Sequence, residues 1–306
     1  MINLFNITNH ILNTNSYSNL LHDKVVNEFE NTIANYVGAK YAVSVNSATS
    51  AIFLALLNKN ITLNIPTMIP PVVLNAIITS GNKYTFEDNV DWVGDSYVLH
   101  NFKNYKIVDS AQKIEKNQFK QECNSEDLMI FSFYPTKPIG SCDGGMIVSD
   151  DLEKINYLRE LSMNGMSQSI NNWERDIKFP GYKMYMNSLQ CEIGLRNFKL
   201  YPDKLKKLET IRNYYNNKLG YTNNSNHLYR INVENRNQFI NFMKSKEITC
   251  GIHYECMHNN NVYKINDLNC PKSEIISKKT VSIPFHENLT ESDLNLIIKL
   301  INEYNG

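Results

Sequence analysis

The chain has 306 residues, enough to bury a full core and to form one large domain with a smaller one. Lys+Arg and Asp+Glu both total 31, so the net charge is zero and no block of like charge points to nucleic acid or an anionic membrane. No apolar run approaches the length of a membrane span. The six cysteines (Cys123, Cys142, Cys191, Cys250, Cys256 and Cys270) form no CxxC pair and no zinc-like spacing, as expected of reduced thiols in a metal-free cytoplasmic protein.

Met1 to Asn19 is polar and asparagine-rich, without the apolar core of a signal peptide. Lys24 to Tyr36 places Val25, Val26, Phe29 and Ile33 at helical spacing, and Gly38 ends that helix. Tyr41 to Leu57 reads YAVSVNSATSAIFLALL, an apolar strand, then Asn46 to Ser50, then an apolar helical run. Small hydroxyl residues at that junction either cap the helix or hold a phosphate on its free N–H groups. From Ala42 to about Val148 strands and helices alternate, as expected of a parallel sheet covered by helices. Lys106 to Gln112 (KIVDSAQ) is a short strand ending in Asp109, which is either a ligand-facing carboxylate at a strand end or a helix cap. Leu128 to Phe133 reads as a buried strand, followed by Lys137 between Pro135 and Pro138, and Gly144-Gly145 leads into the strand Met146 to Val148. A lysine on such a turn is either a solvated surface charge or a desolvated amine, nucleophilic enough to form a Schiff base. Asp150 or Asp151 is predicted to cap a helix through Met163, ended by Asn164-Gly165. A long helical stretch starts at Asn187 or Ser188, with a break predicted near Tyr201-Pro202 and a resumption from Lys204 to Leu219. That break divides the chain into a large domain, 1–202, and a small α/β domain, 203–306. The latter has strands near Leu228–Val233 and Ile283, and helices near Asn237–Lys246 and Glu291–Tyr304.

In this order the segments resemble the DegT/DnrJ family of pyridoxal-phosphate (PLP) sugar aminotransferases. The residues that carry the likeness are Asn46 to Thr49, Asp109 to Gln112, and Ser132 to Lys137 with Gly144-Gly145. It continues in Gly181-Tyr182-Lys183 through Gln190, in Gly251-Ile252-His253-Tyr254, and in Val281 to Pro284 followed by Leu289-Thr290-Glu291. The likeness implies an α/β fold of PLP fold type I, with a mixed, mostly parallel sheet flanked by helices and a small C-terminal α/β domain. It implies that Lys137 carries PLP and moves the substrate proton, and that Asp109 pairs with the pyridine nitrogen. Backbone N–H groups of Ala48 and Thr49, with the Thr49 and Ser132 hydroxyls, would hold the phosphate, and Gln112 the ring hydroxyl. Lys183 stands where the family reaches the neighbouring subunit's phosphate, which implies a homodimer with shared sites. His253 and Tyr254 match a substrate-side pair, with Tyr134 a further substrate-side candidate.

The implied reaction moves an amino group from L-glutamate to a keto-sugar, most simply a nucleotide-linked one. The alternative is a silent homologue that binds a sugar nucleotide or a partner without turnover. The dehydratase branch of the family has histidine where Lys137 stands, so Lys137 argues against it. Three positions depart from the pattern. Pro70 replaces the aromatic that stacks on the cofactor ring, offering less dispersion and no π contact. Cys142 stands for glycine and Asp143 for glutamate. The chain is also shorter than the pattern, because Asn101 to Lys106 cannot hold a helix between Tyr97–His100 and the Asp109 strand. A bare returning loop is therefore expected. The sheet face it uncovers should be apolar and covered by part of Met1–Leu21 or by a neighbouring subunit.

Overall fold

The computed structural model describes residues 1–167, 176–266 and 268–305. Helix α1 (Lys24–Val37) buries Val25, Phe29, Ile33 and Ala34 along one stripe, and Gly38 closes it in the left-handed region, φ 83°, where glycine carries no Cβ penalty. Then come β1 (Tyr41–Val45), α2 (Ala48–Leu56), β2 (Thr62–Pro66), α3 (Pro71–Thr79), β3 (Lys83–Glu87), β4 (Tyr97–Asn101), β5 (Lys106–Asp109) and α4 (Gln118–Glu122). Strands β6 (Leu128–Ser132) and β7 (Gly145–Ser149) follow. Helix α5 (Leu152–Ser162) starts at an Asp151 cap, and α6 (Ser188–Leu219) at a capping box made by Asn187 and Gln190. The remainder is β8 (Tyr229–Asn232), α7 (Arg236–Ser245), α8 (Pro271–Lys279), β9 (Thr280–Ile283) and α9 (Glu291–Asn305).

The main sheet has the order β1-β7-β6-β5-β4 and is mixed: β1, β5 and β6 point one way, β7 and β4 the other. Strands β2 and β3 form a parallel pair lying against β4. One face of the sheet packs Ile107, Ile130 and Ile147 with residues of α2, α3 and α5, such as Leu54, Leu74 and Leu158. The other packs Val108, Met129, Phe131 and Val148 with Phe29 and Ile33 of α1, Phe119 of α4 and Leu195 of α6. A third core surrounds β8 and β9, with Leu208, Ile211 and Tyr215 of α6. Beside the sheet an ion pair joins buried Glu30 to half-buried Arg159. Glu30 accepts two hydrogen bonds from Arg159 (3.0 and 2.7 Å) and two from Ser44, joining α1, β1 and α5. No helix among the described residues is long and apolar enough to cross a membrane.

Three expectations are corrected. Helix α6 runs unbroken through Pro202. A proline deletes one N–H, and here that loss is outweighed by burial on both sides of it, Tyr201 in one core and Leu208 in the next. The link before β5 is no bare return. Strand β4 is reversed, and Phe102–Tyr105 closes a hairpin, with the Phe102 N–H on the Tyr105 carbonyl at 2.8 Å and the two rings stacked at 4.6 Å. Antiparallel neighbours need only a tight turn, whereas a parallel pair needs a crossover of a dozen residues or more. Finally, the uncovered face is not apolar. Thr62, Asn64, Val98 and His100 line an open groove there, and Val98 is 41% exposed. The N-terminal segment goes elsewhere: Ile2 pairs with Ile248, Leu4 accepts the Phe285 N–H, and Phe5 stacks on His227 at 5.3 Å.

Candidate active site

Strand polarity gathers the chemistry at one edge of the sheet. The last residues of β1, β5 and β6 and the first residues of β7 and β4 all lie there, in the register Val45–Gly145, Gly145–Ser132, Asp109–Ile130 and Tyr97–Asp109. Open α/β sheets bind ligands at such an edge.

Lys137 sits in the loop between β6 and β7. Its N–H donates to the Tyr134 carbonyl at 2.8 Å, and the loop is pinned by Phe133 N–H to the Gly144 carbonyl and Ser141 N–H to the Phe133 carbonyl, both 2.8 Å. Burial pulls its amine down to about 8, opposed by the charge of Asp109. Asp109 is buried, one oxygen accepting the Ala111 N–H (3.0 Å) and the other the Tyr97 hydroxyl (2.9 Å). Burial raises its carboxyl pKa, while the Ala111 and Tyr97 donors and the Lys137 charge act the other way.

At the start of α2 the Ser47 hydroxyl accepts the Ser50 N–H (3.1 Å), and Asn46 Oδ1 accepts the Ser50 hydroxyl (2.6 Å). The N–H groups of Ala48 and Thr49, in the first helical turn, have no acceptor within the helix, and the helix dipole there favours an anion. Gly145 allows this helix start to reach the sheet: a Cβ there would lie 2.5 Å from the Ala48 nitrogen. A desolvated amine, a buried carboxylate and a helix N-terminus along one edge match the aldehyde, the ring nitrogen and the phosphate of PLP. The donor set fits that group.

Other expected residues fall in different places. Ser132 ends β6 on the same edge, its hydroxyl accepting the Tyr134 N–H at 3.3 Å. Gln112 is buried, accepting the Gly94 N–H (2.7 Å) and donating to the Tyr254 hydroxyl (2.9 Å). Tyr254 and His253 reach the cluster from the C-terminal part of the chain. His253 bonds Ser282 at 2.8 Å and is held near 4 by burial and by the charges of Lys137 and Arg230. Tyr134 is 53% exposed and joins the loop through its carbonyl, which takes the Lys137 N–H. Lys183 is exposed too, its backbone paired with Met163, while its neighbour Met184 accepts the Asn46 N–H at 2.7 Å.

Three residues that sequence reasoning passed over belong to the cluster. Tyr97 holds Asp109, Trp92 lies parallel to Tyr254 (6.0 Å, 8°), and His227 is buried and kept neutral by burial and by the Lys137 charge. Only Tyr97 left a signal, as the first residue of the strand before the short link.

The DegT/DnrJ/EryC1/StrS aminotransferase family model matches residues 5–91 and 101–302. A UDP-4-amino-4,6-dideoxy-N-acetyl-beta-L-altrosamine transaminase from Campylobacter jejuni is 26% identical, with 90% of this chain and 88% of that protein covered. Among solved structures, the aminotransferase TlmJ from Streptoalloteichus hindustanus superposes with a TM-score of 0.84 at 19% identity, covering 99% of this chain and 98% of that one. A Streptococcus pneumoniae chain solved in its PLP form gives 0.75 at 19% identity, covering 94% and 92%.

Proposed function

The chain belongs to the DegT/DnrJ/EryC1/StrS aminotransferase family, whose members use PLP, and from that premise we propose that it moves an amino group from L-glutamate to a nucleotide-linked keto-sugar. The observation that carries this reading is the placement of Lys137 and buried Asp109 at one sheet edge, each within range of the other's charge, in a chain similar over most of its length to a UDP-amino-sugar transaminase.

When bound, PLP supplies an electrophilic carbon and a ring that accepts an electron pair. The protein does the rest. Ala48 and Thr49 N–H groups, with the Thr49 and Ser132 hydroxyls, would hold the phosphate, and Asp109 would offer an acceptor to the ring nitrogen. Gln112, whose amide also joins the Gly94 N–H to the Tyr254 hydroxyl, would serve the ring hydroxyl. Lys137, with an amine near 8, is neutral often enough to act as nucleophile and base and charged often enough to return a proton. His253 and Tyr254 lie on the substrate side, brought there by residues 203–306, while residues up to Pro202 hold the cofactor. We place the reaction in the cytoplasm, where the six unpaired cysteines stay reduced.

The active unit on this reading is a homodimer, with Lys183 reaching the partner's phosphate site. Support comes from its exposure and from exposed apolar side chains of the N-terminal segment, Ile7, Ile11, Leu20 and Leu21, with Ile11 95% exposed. Mixed dimers of Lys137→Ala and Lys183→Ala subunits test it. Activity regained on mixing, or lost further, tells whether the two residues serve one site from different chains.

The substrate test incubates the PLP form with L-glutamate and a panel of UDP- and dTDP-linked keto-sugars, with mass detection of the amino sugar and of 2-oxoglutarate. Glutamate should bleach the yellow colour, and borohydride should label Lys137. Absence of any amine product with a protein that binds PLP and labels at Lys137 would favour a silent binding module instead.

A further inference from the structure

The hairpin that stands in for a crossover helix changes what meets Asp109. Because β4 is antiparallel to β5, its first residue, not its last, lies at the site edge, and Tyr97 pairs in register with Asp109. A parallel β4 would end at that edge with Asn101, leaving Tyr97 about 13 Å away at about 3.3 Å per residue. The family match skips residues 92–100, the stretch that holds both Trp92 and Tyr97.

Tyr97 is 8% exposed, and its hydroxyl donates to Asp109 Oδ2 at 2.9 Å. Its ring is packed by Trp92 at 4.7 Å, and Trp92 is in turn backed by Tyr254, whose hydroxyl is held by Gln112. The phenol is therefore fixed by packing as well as by the bond it makes. Asp109 Oδ1 is turned toward the Ala111 N–H. An ionised carboxylate has about four lone-pair positions, so Oδ2 can accept from Tyr97 and still accept from a second donor in the site.

We propose that Tyr97 is a positioning residue for Asp109: its phenol fixes the carboxylate rotamer and keeps it ionised, so that a ring N–H meets a charged acceptor. This rests on the PLP reading above only for the identity of that second donor. The charged and titratable groups that act on the pair are Lys137 and Tyr254 on Asp109, Tyr254 and Glu87 on Tyr97, and Arg230 through Tyr254. Lys137 and Tyr97 favour the ionised carboxylate and burial opposes it. Burial and the Asp109 charge also drive the Tyr97 hydroxyl far above 10, so it remains a donor at every working pH. With Tyr97 gone, a single backbone N–H and one cation remain to hold a buried charge.

Tyr97→Phe keeps the ring and its Trp92 contact and removes only the hydroxyl. In apoprotein labelled with carboxyl-13C aspartate, the Asp109 resonance, assigned by its loss in Asp109→Asn, should titrate about one pH unit higher in Tyr97→Phe. In a Lys137→Ala background, where no covalent bond to PLP forms, PLP affinity should fall about tenfold at pH below both Asp109 midpoints, where a shift of one pH unit cuts the ionised fraction tenfold, and should converge above them. That loss should vanish when Asp109→Asn is also present. An unchanged Asp109 midpoint in a folded Tyr97→Phe protein overturns the proposal, as does an affinity loss that persists with Asp109→Asn. Should Tyr97→Phe fail to fold, 3,5-difluorotyrosine placed at position 97, a stronger donor, must lower the Asp109 midpoint, and a midpoint that stays put overturns it equally. The titration needs no cofactor, so failure of the PLP reading and failure of this proposal are told apart.

Discussion

Removing the charge of Lys137 should make the apoprotein more stable. Burial holds its amine at about 8 instead of the ordinary 10.5. At about 1.4 kcal/mol per pH unit this is about 3 kcal/mol against the ammonium in the folded state. Between those two values the unfolded chain binds more protons than the folded one, so stability rises with pH there; below about 8 the whole penalty is present. Lys137→Met keeps the length of the side chain and removes the charge. It also removes the cation that favours ionised Asp109, which returns part of the gain and leaves about 1–2 kcal/mol at pH 7. For a chain of this size that is a rise of about 2–5 °C in melting temperature. Calorimetry of parent and variant apoproteins, at neutral pH and again above 10.5, reads it directly. The gap should be widest at neutral pH and close as the parent lysine loses its proton. A variant less stable at pH 7, or a gap that does not move with pH, would refute the claim that the fold strains this amine in preparing it for chemistry.

Gly145→Ala should cost about 2–3 kcal/mol in urea unfolding and weaken PLP binding together with it, since the new Cβ meets backbone atoms of Ser47 and Ala48 that cannot yield; an unaffected variant would mean that β7 and the α2 start are not in that contact. Arg159→Met leaves Glu30 charged and buried without its partner and should cost about 3 kcal/mol, part of which Glu30→Gln in the same chain should recover. Val98→Lys should change stability by no more than about 0.5 kcal/mol, because the residue faces an open polar groove; a loss of several kcal/mol would show that something covers that face after all.

Much of the fold could be read from local patterns. The α1 stripe ending at Gly38, the Asp151 cap and the Asn187 capping box are encoded within a few residues of where they act, and each formed where its signal stood. The α8 helix went unnoticed, its apolar content being low and its start marked only by Pro271. Pro202 misled in the opposite sense, because a local rule about proline cannot weigh the two cores that hold α6 on either side of it.

For the site, the sequence alone determined which residue types stand at strand ends and turns: Asn46 to Thr49 after β1, Asp109 closing β5, Lys137 before the Gly144-Gly145 pair. It also determined that a link as short as Asn101 to Lys106 excludes a helix. It could not determine strand direction, because pairing sense is settled by which arrangement buries apolar surface and satisfies backbone groups across elements far apart in the chain. Direction then decided the rest. Reversing β4 carried Tyr97 to Asp109 and put polar Thr62 and Asn64 beside Val98 on an open face. The long return of the chain brought His227 and His253 within reach of the Lys137 charge and Tyr254 within reach of Asp109, across 90 or more positions of sequence. Spacing in a sequence reports neighbours along a helix or strand; desolvation of an amine is a property of everything folded around it.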